Sequence, residues 1–68
     1  MKNNNIENYM NKELNTYLAL NNMSKHDILD NDNLNDELFD YIYILVDQNY
    51  NNVDINTIND IYDRFLDN

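Results

Sequence analysis

The sequence predicts an all-α protein: a compact bundle of three main helices plus one short helix. Three observations predict it. Apolar residues recur at spacings of three and four along most of the chain, the period of a helix with one buried stripe. Asn- and Asp-rich clusters separate these stretches, and the absence of Gly and Pro leaves few of the tight-turn signals that an all-β fold needs. With 68 residues the chain is long enough for one domain only, so residues 1–68 are expected to form a single helical domain with a frayed start over 1–4.

The first helix is expected over about residues 5–21, where Ile6, Tyr9, Met10, Leu14, Tyr17 and Leu18 form the stripe. Asn21-Asn22 is its expected end, because Asn tolerates the left-handed backbone that closes many helices. A short second helix over about 25–30 has two independent start signals. Ser24 and Asp27 stand at capping-box spacing, and Met23 and Ile28 occupy the positions of a hydrophobic staple. The third helix is expected over about 33–48, capped by Asn33 or Asp32, with Leu34, Leu38, Tyr41, Ile42 and Leu45 buried. Its run Tyr41–Val46 is apolar all round and rich in strand formers, so a buried strand competes there. The helical spacing upstream favours helix, and a helix apolar on most sides is expected at the centre of a bundle. The fourth, over about 55–67, is capped by Asp54 or Asn56 and carries the stripe Ile58, Ile61, Tyr62, Phe65 and Leu66.

The residue inventory excludes most enzyme chemistry. There is no cysteine, hence no thiol nucleophile, disulfide or zinc–thiolate site. The one histidine, His26, and the one serine, Ser24, lie two apart at a helix start, where side chains do not face each other. A phosphate-cradling glycine loop is impossible without glycine. Carboxylates abound, but acid–base catalysis needs one of them in a pocket that shifts its pKa, and a bundle this small has little room for one. No catalytic residue, cofactor or metal is therefore expected. Asp47-Gln48-Asn49-Tyr50-Asn51 opens like a calcium loop, yet Asn52 replaces the required glycine and Ile58 the required glutamate.

Charge is the informative feature. The formal net charge is −9. Residues 1–26 hold three lysines and two glutamates, whereas 27–68 hold ten aspartates, Glu37 and Arg64. The abundant asparagine fits an AT-rich coding sequence, but such coding enriches lysine too, and lysine is scarce here. Phosphate backbones and anionic membrane surfaces attract cations, so neither nucleic acid nor membrane is an expected direct partner. A basic protein is expected instead. No stretch approaches the ~20 apolar residues of a membrane span, and no secretory signal opens the chain, so a cytoplasmic location is expected.

The aspartates are ordered. On the fourth helix Asp60, Asp63 and Asp67 fall on one face, opposite Ile58, Ile61 and Phe65. On the third, Asp36, Asp40 and Asp47 share a face opposite Leu34, Leu38 and Leu45. Like charges at this spacing destabilise a helix by ~0.2–0.5 kcal/mol per pair, a local cost of the kind that marks function. Phe39 and Tyr43 edge the second stripe, where they could stack on arginine or lysine side chains. Packing against the first helix, or a homodimer seam, are the competing uses of that pair.

In size, acidity and lack of catalytic residues, the chain resembles the small phage-encoded anti-CRISPR and anti-restriction proteins. The resemblance is one of bulk properties over the whole chain and is carried by no motif. It implies an inhibitor or regulator whose acidic helical face occupies a basic surface, plausibly that of a nucleic-acid-binding enzyme. An antitoxin or immunity module would share the physics with a different partner. A self-associating structural subunit would use the charge for solubility only.

Overall fold

The computed structural model describes residues 2–67, with side chains from residue 5 onward. Four helices follow in order: α1 (Lys2–Leu20), α2 (Lys25–Leu29), α3 (Asp32–Asn49) and α4 (Ile55–Asp67). The predicted bundle of three main helices plus one short one is the observed architecture, and residues 41–46 are helical. Helix α1 begins at Lys2, ahead of the expected start at 5. The expected fraying over 1–4 falls at the edge of what is described: Met1 lies outside it, as do the side chains of 2–4.

The helix ends follow from local chemistry. Asn22 adopts φ 56° and closes α1 in a Schellman turn, with Met23 N–H donating to Leu18 O at 2.9 Å and Asn22 N–H to Ala19 O at 3.2 Å. The capping box on α2 forms in full: the Asp27 amide donates to Ser24 Oγ, and the Ser24 amide donates to Asp27 Oδ2 at 2.9 Å. The cap of α3 is Asn31, not the expected Asn33 or Asp32. Its amide oxygen accepts from the Asn33 and Leu34 amides, because the helix starts one residue early. Asp54 takes the cap position of α4, its carbonyl accepting from Thr57 and Ile58.

Four stripes meet in one core: Ile6, Met10, Leu14 and Leu18 from α1, Ile28 from α2, Leu38, Ile42 and Val46 from α3, and all five predicted residues of α4. Helix α3 packs against each of the other three helices, and α1 also packs on α4. Its inward face differs by a step from the expected one. Val46 is buried and Tyr41 is exposed, because the row Leu38–Ile42–Val46 runs at spacing four and turns Tyr41 to the flank. There Tyr41 meets Tyr17 of α1 with ring centroids 4.9 Å apart. Leu34 and Leu45 are half-buried on the core's edge.

Candidate functional site

Helices α3 and α4 pack side by side, and the row of residues flanking each core stripe lines a groove between them. Asn35, Asp36, Phe39 and Asp40 come from α3; Asn59, Tyr62 and Asp63 come from α4. The groove has a volume of about 420 Å³. Three carboxylates and two amides form its walls, and none of the described residues lining it is basic.

Its aromatic part is built by the core. Tyr62 is only 3% exposed, held by the α4 stripe. Its hydroxyl reaches α3, lying 2.5 Å from Asn35 Oδ1 and 3.0 Å from Asn35 O, both of them acceptors. Phe39 meets the Tyr62 ring edge-on, with centroids 5.2 Å apart and planes at 79°. Tyr43 stacks behind Phe39 at 6.4 Å. Burial pushes the Tyr62 phenol far above its ordinary value, and the Asp63 and Asp36 carboxylates push it further by disfavouring a nearby anion. That hydroxyl is therefore a fixed donor to Asn35 near neutral pH rather than an acid–base group.

The predicted site residues divide. Asp36, Asp40, Asp63 and Phe39, taken from two separate stripes, converge on this groove. Tyr43 supports Phe39 from outside the lining. Phe39 packs against the core and meets Tyr62 of α4. Asp60 turns the other way. It lies 3.3 Å from Arg64, which also reaches Glu7 of α1 at 3.5 Å, and the three line a second cleft of about 290 Å³ with Asn56, Thr57 and Ile61. Asp47 and Asp67 are exposed, near the C-terminal ends of their helices, and line neither cavity. The two aspartate stripes are thus not one continuous surface.

Asn35, Asn59 and Tyr62 were not among the residues expected in the site. The signal was present as spacing: Asn35 is four before Phe39 and Asn59 four before Asp63, so each shares a face with a groove residue. Tyr62 belongs to the predicted core stripe and is buried in the core, yet a ring this large also lines the groove.

The remaining titratable residues form no second centre. His26 is exposed on α2. Lys25 lies over the Phe65 ring, 4.4 Å from its centroid. Among the described residues, no three His, Cys, Asp or Glu side chains are grouped to hold a metal ion, and no helix is long and apolar enough to cross a membrane. On the α1–α3 flank, Tyr9 packs edge-on against Tyr50 at 5.4 Å, and Asn49 donates to its hydroxyl at 3.0 Å. Burial, then the Glu13 carboxylate, raises the Tyr9 phenol above its ordinary value.

No protein-family profile, curated protein or solved structure matches the chain.

Proposed function

We propose that this protein is a small binding inhibitor or regulator whose α3–α4 face docks onto a basic surface of another protein, of the kind that holds nucleic acid. One observation carries the reading: Asp36, Asp40 and Asp63 come from two helices to one groove beside a half-buried Phe39, with no basic residue among those lining it. Carboxylates gathered in this way cost local stability. They also supply the potential that steers a basic partner and rejects an acidic one. The spread of aspartates over neighbouring turns, ~6 Å apart at four-residue spacing, is comparable with phosphates along a strand. An anti-CRISPR or anti-restriction role, or an antitoxin role, would use the same face.

The test is displacement of a fluorescent DNA duplex from a nuclease with a basic DNA-binding groove. The protein should displace the duplex, less effectively as salt rises, and an Asp36→Asn, Asp40→Asn, Asp63→Asn triple variant should be weaker by at least tenfold, about 1.4 kcal/mol. Displacement that is indifferent to both salt and these substitutions would refute the acidic-face reading.

A second reading, self-association, is favoured by a different observation. Leu20 (81% exposed) and Ile44 (52%) stand three residues from Tyr17 and Tyr41, the pair that bridges α1 and α3. Sedimentation of the wild type beside Ile44→Asp decides it: a dimer lost in the variant supports this reading, and a monomeric wild type excludes it.

A further inference from the structure

We propose that the α3–α4 groove is a receptor for an arginine side chain of the basic partner, selecting arginine over lysine. The inference rests on the acidic-face reading above and goes further, by naming the group that the groove accepts.

The groove combines features that a guanidinium uses together and an ammonium uses only in part. An arginine head is planar, weakly hydrated, and carries five N–H donors in a fixed fork, so it stacks on aromatic rings while its edge bonds to carboxylates. A lysine ammonium can also sit over a ring, as Lys25 does over Phe65, but it is a compact, strongly hydrated point charge that can neither lie flat on the ring nor fork to two acceptors. Here the wall and floor are divided in that way. The half-buried Phe39 ring lines the groove, set perpendicular to the Tyr62 ring and near-parallel to that of Tyr43. Asp36 and Asp40, one helical turn apart on α3, and Asp63 across on α4 supply acceptors around it. The amide groups of Asn35 and Asn59 line the same space, and one of them, Asn35, is held by the Tyr62 hydroxyl. At about 420 Å³ the groove lies in the lower part of the range of ligand pockets and has room for an arginine side chain. The charge is complementary, since three carboxylates face a cation with no basic residue among the lining. The exposed Asp47 and Asp67 have the same charge but do not line this groove, and are not part of the receptor.

The probes are two end-blocked pentapeptides, Gly-Ser-Arg-Ser-Gly and Gly-Ser-Lys-Ser-Gly, titrated into the ¹⁵N-labelled full chain and followed by amide chemical shifts. The arginine peptide should give saturable shifts centred on residues 35–40 and 59–63, with affinity at least about threefold above that of the lysine peptide. Phe39→Leu should abolish the difference while leaving the lysine affinity in place, and Phe39→Tyr, which keeps the ring, should preserve it. Asp36→Asn with Asp63→Asn should weaken both peptides. Equal affinities for the two peptides, or shifts centred on Asp47 and Asp67, would overturn the proposal. If the peptides are equal but the nuclease displacement remains salt-sensitive, the arginine receptor alone falls. If neither peptides nor nuclease bind, both readings fall.

Discussion

The Tyr62 hydroxyl of α4 is anchored on Asn35 of α3, 2.5 Å from the amide oxygen and 3.0 Å from the backbone carbonyl. One side chain thereby belongs to the core by its ring, to the helix seam by its hydroxyl, and also lines the groove. Tyr62→Phe should keep the ring and lose the anchor. The expected loss is about 1 kcal/mol. In a domain this small that is a fall in Tm of roughly 4–8 °C, read from a thermal melt by circular dichroism.

The same hydroxyl makes stability depend on pH at the alkaline end. Folding raises the Tyr62 phenol above its ordinary value of 10.0, so the folded state favours the protonated form. The contribution is full below pH 10 and is lost progressively as pH rises above it, when the unfolded chain can release that proton and the folded chain cannot. Tyr9, raised in the same direction, adds to the effect. Urea midpoints measured from pH 8 to 11 should fall at the upper end for the wild type and fall less for Tyr62→Phe.

Ile42 sits in the middle of the central row of α3 and is fully buried. Ile42→Ala should cost about 2–5 kcal/mol, against roughly 3–10 kcal/mol of total stability for a chain of this length. The urea midpoint should then fall by a large fraction of its wild-type value. Ile42→Val should cost only about 0.5–1.5 kcal/mol and remain folded. Urea denaturation of the pair checks both values.

The turn between α1 and α2 offers changes of opposite sign. Asn22 is held at φ 56°, where glycine has no steric cost, so Asn22→Gly should be neutral to stabilising and Asn22→Val clearly destabilising. Two residues on, Ser24→Ala removes the cap of α2 and should cost about 1 kcal/mol. Thermal melts of the three variants should rank them in that order around the wild type.

The acidic groove should cost the fold something. Asp36→Asn and Asp40→Asn each relieve a like-charge pair and should each stabilise the protein by ~0.2–0.5 kcal/mol at low salt, with the gain vanishing as salt screens the charges. Destabilisation by both, at low and high salt alike, would show that these carboxylates serve the fold.

The sequence was most informative where one helix face settles a residue's fate. The α4 stripe and the Ser24–Asp27 box are local patterns, and both are present as read. It was less informative where neighbours decide. Tyr41 and Val46 both lie in an apolar run that gives no preferred face, and only the arrival of α1 and α4 selects the row that turns inward. The groove needed the same information. Spacing placed Asp60 and Asp63 on one helix face, but Asp60 pairs with Arg64 one turn along α4, on the side where Glu7 of α1 arrives, while Asp63 shares the groove with Asp36 and Asp40 of α3. Such partition depends on how two helices are rotated against a third, which no single stripe encodes.

Because α3 follows α1 and α2 in the chain yet touches every other helix, the first two helices are synthesised before the element that covers them. A ribosome releases about 5–20 residues per second, so α1 and α2 emerge with their apolar rows facing no partner. The row Leu38–Ile42–Val46 that covers them exists only when most of the chain is out. Packing onto α3 is therefore completed only after that helix is out, and a truncation within α3 should leave an N-terminal fragment prone to capture by chaperones rather than a smaller folded protein.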